Sequence, residues 1–159
     1  MATTTPLRGT ATNLTFAGGD STLASGAFAV SSAIDTTTLG SGSIAADDAV
    51  LTMSLSIAAT AVANDVCYIW AVSSIDGTTY SDAPADASTD ATHNPNMQLV
   101  DTLIVPSAAA QTLVTPLVSL AALFNGVLPP YLKIVVYNGS GAALTALAGT
   151  IQGINESIA

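Results

Sequence analysis

The chain has 159 residues, a mass of 15.8 kDa and a net charge of −9, from 11 acids against Arg8 and Lys133. That balance excludes the usual nucleic-acid and anionic-membrane binders, because phosphate contacts need clustered Lys and Arg. Half the residues are hydrophobic, mean hydropathy is +0.57 and 8% are charged, against about a quarter in a typical soluble domain, so Ser, Thr, Ala and Asn must build the surface, as suits a subunit covered by neighbours.

The length fits one domain with a substantial core. Residues 1–26 are rich in Thr, Ala and Gly, with isolated apolar residues at Leu7, Leu14, Phe16 and Leu23. The stretch reads either as a tail without fixed structure or as an arm that orders on a neighbouring subunit. The division taken is an extended N-terminal arm over 1–26 and a single β-sandwich domain over 27–159. Met1 to Asn13 lacks the charged and apolar regions of a signal peptide, so synthesis and folding in a cytoplasm are expected. The apolar run from Val105 to Leu128 is interrupted by Pro106, Gln111, Pro116 and Asn125 and is not expected to span a membrane.

Ala27 to Ala33 reads as a short strand, and Asp35 to Asp48 as a loop. Ala49 to Ile57 alternates cleanly, with Leu51, Met53, Leu55 and Ile57 on one face and Thr52, Ser54 and Ser56 on the other. Asp65 to Ser74 is apolar on both faces: Val66, Tyr68, Trp70 and Val72 share one, Cys67, Ile69 and Ala71 the other. Its Asp76-Gly77 pair then predicts a hairpin, with Tyr80 beginning a return strand. Ser81 to Asn96 is a long acidic loop containing proline. Strands are expected at 97–105 and 111–118. Leu117, Leu120, Ala121 and Phe124 have helical spacing, with Asn125-Gly126 as the stop, so one or two helical turns are expected over 117–124. Leu128 to Asn138 is the second doubly apolar strand: Pro129-Pro130 set its start, and Leu132, Ile134 and Val136 oppose Tyr131, Val135 and Tyr137. Such strands are covered on both sides, and the two are natural central neighbours. A last strand is expected over 147–154. The whole is an all-β pattern: an antiparallel β-sandwich, jelly-roll-like, with at most one short helix.

Chemistry is sparse. His93 is the one histidine, and no nucleophile pattern frames a serine beside it, so no catalytic residue is assigned and the chain is not expected to be an enzyme. The single cysteine, Cys67, cannot form an internal disulfide and reads as a buried thiol. Asp82, Asp86 and Asp90 in the acidic loop are the calcium candidates, although their spacing matches no EF-hand. The glycines match neither dinucleotide nor P-loop spacing, and no cofactor is expected. Tyr68, Trp70, Tyr80, Tyr131 and Tyr137 offer the alternative of a carbohydrate-binding face, with core packing as the competing role.

Two segments carry a resemblance, Tyr68-Ile69-Trp70-Ala71-Val72-Ser73-Ser74-Ile75-Asp76-Gly77-Thr78-Thr79-Tyr80 and the stretch from Leu128 through Tyr137-Asn138-Gly139-Ser140-Gly141 to Leu144. In them the chain resembles small structural proteins of tailed bacteriophages, among them jelly-roll capsid decoration or cement proteins. The resemblance implies a subunit on the capsid exterior that clamps capsomer junctions, often as a homotrimer. Its partners would be the major capsid protein and copies of itself, with no nucleic acid and no membrane, and it would be made in the bacterial host cytoplasm. Head fibres, necks, tails and a carbohydrate-binding tail module are the alternatives. The expected partner contacts are Leu7, Arg8, Leu14 and Phe16 in the arm, and Lys133, a lone lysine on a strand that reads as either a counter-charge or an intersubunit contact.

Overall fold

The computed structural model describes residues 4–16, 22–41, 45–81, 83–84, 88–89 and 97–158. Two short strands, β1 (Thr4–Arg8) and β2 (Thr12–Asn13), lead to β3 (Phe28–Val30), β4 (Ile34–Asp35) and a 3-10 turn over Thr36–Thr38. β5 (Asp48–Ile57) and β6 (Val66–Ser74) come next, then β7 (Gln98–Ile104), β8 (Gln111–Val114) and β9 (Val118–Ser119). The helix α1 (Leu120–Leu123) precedes β10 (Tyr131–Tyr137) and β11 (Leu144–Ile158).

These strands make two antiparallel sheets packed as a sandwich. One has the order β1-β11-β5-β8, with β2 also on β11 and β9 also on β5; the other has the order β3-β10-β6-β7, with β4 also on β10. Alternation explains which side of β5 is buried: Leu51, Met53, Leu55 and Ile57 are inside while Thr52, Ser54 and Ser56 stay half-exposed. Opposite them the inner faces of β6 and β10 contribute Cys67, Ile69, Ala71, Leu132, Ile134 and Val136 to the same core. Burying a Leu, Ile or Val side chain contributes about 1.5–3 kcal/mol each, so this double layer dominates the stability.

The two doubly apolar strands are direct neighbours, paired from Tyr131↔Ser74 to Tyr137↔Tyr68. Their outer face has a cover of its own. Phe28, Val30, Val72 and Val135 form a second buried cluster, and Tyr80, Ala83 and Met97, from the segment after β6, pack onto it with Trp70 and Tyr137. The amide of Phe28 donates to the Ser88 carbonyl at 2.9 Å, tying that segment to the sheet.

Three expectations change. The Asp76-Gly77 turn does not return a strand through Tyr80; β6 pairs instead with β7, from Val66↔Ile104 to Ala71↔Gln98. The cause is local. The Asp76 carboxylate accepts the amides of Thr78 at 2.8 Å and Thr79 at 2.7 Å, so those donors cannot join a ladder, while Gly77 takes the left-handed φ of +72°. The final strand is longer than 147–154, because β5 pairs with it as far as Ile154 and β1 continues the pairing to Ile158. Residues 4–16 do not stand apart as an arm, since β1 and β2 both pair with β11 and Phe16 bridges to Ser31.

One corner is held by polar groups. Asn138 and Ser140 are fully buried. The Asn138 side-chain amide donates to the carbonyls of Leu23 at 2.9 Å and Ala142 at 2.8 Å. Its oxygen accepts the Ser140 hydroxyl at 2.6 Å and the Ser140 amide at 3.2 Å. This clamp fastens the residues before β3 to the β10–β11 turn.

Candidate functional site

An open cleft of about 720 Å³ lies where β6 runs past the start of β7, lined by Val72, Ser73, Ser74, Ile75, Asp76, Gln98 and Phe124 among others. On the β7 side the ladder ends at Ala71↔Gln98, whereas β10 accompanies β6 to Ser74. The side chains of Ser74, Asp76 and Thr79 hydrogen-bond to one another here and are occupied by the turn. Asp76 accepts the Ser74 hydroxyl at 2.9 Å and the Thr79 hydroxyl at 2.9 Å, besides two amides. The Thr79 and Thr78 amides, then the Ser74 and Thr79 hydroxyls, hold its carboxyl well below the usual carboxylate range. A carboxylate so held is a turn anchor, and it does not exchange protons near neutrality.

The outer face of the second sheet carries the aromatic residues. Tyr68 and Trp70 lie 5.4 Å apart with 24° between their planes, and Phe28 sits 5.0 Å from Tyr137 and 6.2 Å from Trp70. Rings this near to parallel with centroids 5.4 Å apart are offset-stacked. Tyr68 and Trp70 therefore cover part of each other. A flat platform for a sugar ring needs open aromatic faces, and this arrangement is a self-packed ladder.

The sequence-derived contact residues part company. Leu14 and Phe16 are 7% and 3% exposed and belong to the chain's own core, so burial withholds them from any neighbour. Leu7 is 38% exposed. The exposed Arg8 donates to Gln152 Oε1 at 3.5 Å. Lys133 Nζ stands 4.6 Å from the centre of the Tyr80 ring, a cation–π contact of about 0.5–1 kcal/mol at an open site that neither sequence reading anticipated. Asp82, Asp86, Asp90 and His93 lie outside the described residues, and among the described residues no cluster of three or more His, Cys, Asp or Glu is placed to hold a metal. The thiol of Cys67 is fully buried, and burial pushes its pKa up.

Sequence reasoning missed the exposed aliphatics: Ile104 at 60%, Val114 at 58%, Leu117 at 67% and Val127 at 71%. The signal was present in alternation, since Val114 shares its side of β8 with Thr112 while Leu113 points to the core. The outer face of the first sheet is made mostly of small side chains along the middle of β5 and β11, Thr52, Ser54, Ser56, Ala146 and Ala148. Among the described residues no helix is long and apolar enough to cross a membrane.

No family model matches the chain, and no curated protein does. Solved structures with partial likeness include BuGH86wt in complex with neoagarooctaose, with a TM-score of 0.39 and 11% identity over 98% of this chain and 20% of that one. Another is the naturally occurring empty top component of cowpea mosaic virus, with a TM-score of 0.31 and 11% identity over 99% of this chain and 89% of that one. The VP2 protein of infectious bursal disease virus gives a TM-score of 0.20 and 12% identity over 98% of this chain and 41% of that one. The chain thus spans about a fifth of the length of BuGH86wt. With TM-scores below 0.5, none of these bears on what the chain does.

Proposed function

We propose that this chain is a structural virion protein without catalytic activity: a capsid cement or decoration subunit of a tailed bacteriophage. Its partners would be the major capsid protein and copies of itself on the capsid exterior, after synthesis in the host cytoplasm. The observation that carries the reading is the surface. Ile104, Val114, Leu117 and Val127 are each more than half exposed on a chain with only 8% charged residues. A surface this poor in charge suits a subunit that other protein covers. A net charge of −9 also suits the outside of a shell, away from packaged DNA that repels it. Each interface formed only by the folded, assembled state raises the cost of opening the shell.

The test is mass spectrometry of purified virions with copy number per capsid, together with binding of the purified chain to capsids that lack it. A fixed stoichiometry tied to capsomer number and saturable rebinding are expected; absence from virions overturns the proposal. The full chain is used, because Leu14 and Phe16 belong to its core and a truncation there would confound attachment with folding. A glycan array run in parallel addresses the carbohydrate alternative, for which the overlapped rings predict no binding.

A further inference from the structure

We propose that Asn125-Gly126 is a self-modifying site, at which the folded chain converts its asparagine to aspartate and isoaspartate through a succinimide. The same dipeptide at Asn138-Gly139 is held inert by its surroundings. The inference does not depend on the virion reading above.

The chemistry needs only the chain and water. The Gly126 nitrogen attacks Cγ of Asn125 and a new C–N bond closes a ring. The side-chain amide leaves as ammonia, carrying the proton that the Gly126 nitrogen gave up. Water then opens the ring: breaking the bond to Cγ gives aspartate, and breaking the bond to the backbone carbonyl carbon gives isoaspartate, with the chain rerouted through the side chain. Asparagine is among the thermolabile residues, and glycine favours the attack because it brings no Cβ to hinder the nitrogen. The pairs with this potential are Asn125-Gly126, Asn138-Gly139 and, by loss of water instead of ammonia, Asp76-Gly77. The structure separates them.

Asn125 and Gly126 are both exposed, just past the end of α1. Asn125 holds a left-handed φ of +58° and Gly126 one of +85°. Asparagine tolerates that region at a cost, so leaving it on the way to the ring relieves strain. Among the described residues the Asn125 side chain has no hydrogen-bond partner, and a Cβ placed on Gly126 would meet nothing within 4 Å. The restraint on the reaction is the Gly126 amide, which donates to the Ala121 carbonyl at 2.9 Å. That carbonyl also accepts the Phe124 amide at 3.0 Å, so it keeps a partner when Gly126 lets go. Helix α1 has only 4 residues, and an exposed end of so short a helix opens at a small fraction of the cost of unfolding.

The other two pairs are locked. Asn138 is fully buried. Its amide donates to Leu23 at 2.9 Å and Ala142 at 2.8 Å, and its oxygen accepts the Ser140 hydroxyl at 2.6 Å. Swinging Cγ onto the Gly139 nitrogen would break all of these, and a Cβ at Gly139 would run into the Val66 carbonyl, so the backbone has no room to turn. At Asp76 the carboxylate is held by Ser74, Thr78 and Thr79, and the Gly77 amide donates to Ser74 Oγ at 3.1 Å. Reaction at Asn125 adds an acid two residues before Val127, 71% exposed, in a stretch from Thr102 to Leu132 that has no charged residue. A chain that waits in solution therefore gains negative charge there with age.

Incubation of the full chain in mildly alkaline buffer tests this, read by peptide mapping with mass spectrometry and by enzymatic methylation of isoaspartate. In the folded chain the Asn125 peptide should convert about tenfold faster than the Asn138 peptide, or more, since Asn138 reacts only through openings that break its buried clamp. In urea-unfolded chain the two should convert at similar rates. Asn125→Gln, whose longer side chain must close a larger and slower-forming ring, should remove the isoaspartate signal of the folded chain and leave far-UV circular dichroism unchanged. The inference is overturned if Asn125 of the folded chain stays intact over the time in which the unfolded chain converts, or if folded Asn138 keeps pace with it.

Discussion

Replacing Asn138 with Ala tests whether the fold depends on its polar corner. The side chain is fully buried. Truncation removes two donor bonds, to Leu23 at 2.9 Å and Ala142 at 2.8 Å, each worth about 0.5–1.5 kcal/mol net. The two carbonyls keep other partners, the Leu144 amide for Leu23 and the Ser140 hydroxyl for Ala142. The Ser140 amide is the group that loses its acceptor, and stranding a buried donor adds about 1–3 kcal/mol. The sum is about 2–6 kcal/mol, centred near 4, a large fraction of the roughly 5–15 kcal/mol that holds a domain folded. Urea unfolding followed by Trp70 fluorescence measures it. With a slope of about 2 kcal/mol per molar for a chain of this size, the midpoint should fall by about 2 M. A fall below about 0.5 M with an unchanged slope would refute the clamp.

Three further substitutions or reagents probe other parts of the argument. Gly153→Ala should cost about 1–3 kcal/mol by overpacking, because a Cβ there runs into the Leu39 backbone carbonyl; thermal unfolding reads it, and an unchanged midpoint would show that the Leu39 loop yields freely. Asp76→Ala should lower the melting temperature at neutral pH. The folded carboxyl of Asp76 sits below its ordinary value, so its contribution is present above about pH 4 and lost as pH falls toward the depressed value. The gap between wild type and variant should therefore narrow on acidification, and a gap constant from pH 6 to strong acid would contradict the turn-anchor role. The thiol of Cys67, buried and raised in pKa, should resist a thiol reagent in buffer and react only after denaturant is added.

The parts of the fold legible in the sequence are those with a period. The alternation of β5 fixed its inner and outer faces, and the doubly apolar character of β6 and β10 marked them as neighbours. The helix was legible from Leu120, Ala121 and Asn125, and its start is set by Ser119, whose hydroxyl accepts the Ala122 amide at 3.3 Å. β1 and β2 were not legible. Their Thr-, Ala- and Gly-rich sequence has no sustained alternation, and their partner β11 lies at the opposite end of the sequence. The same gap truncated β11, whose far half is defined by that pairing. Leu14 and Phe16 enter the chain's own core, and an isolated apolar residue in a polar stretch carries no information about whose core it enters. The hairpin failed because Asp-Gly marks a turn without specifying a returning strand, and here the carboxylate claims the amides of Thr78 and Thr79.

The two outer faces of the sandwich answer opposite requirements, and this bears on which one a partner meets. On β6 and β10 the outward positions are Tyr68, Trp70, Val72, Val135 and Tyr137, interrupted by Lys133, an area too apolar to leave in water. The chain meets that need internally. Tyr80 and Met97 pack on the cluster, Lys133 lies over the Tyr80 ring, and the aromatic rings cover one another. On β5 and β11 the outward positions are mostly Thr, Ser and Ala, with Val50, Gln152 and Ile154 half-exposed toward one end and Val114 and Leu117 exposed at the β8–β9 edge, a face that tolerates water. An isolated subunit can remain dissolved with such a face open, and an assembled one can close it. The proposed capsid subunit, dissolved before assembly and buried afterwards, would need this compromise, which the small side chains of the first sheet allow.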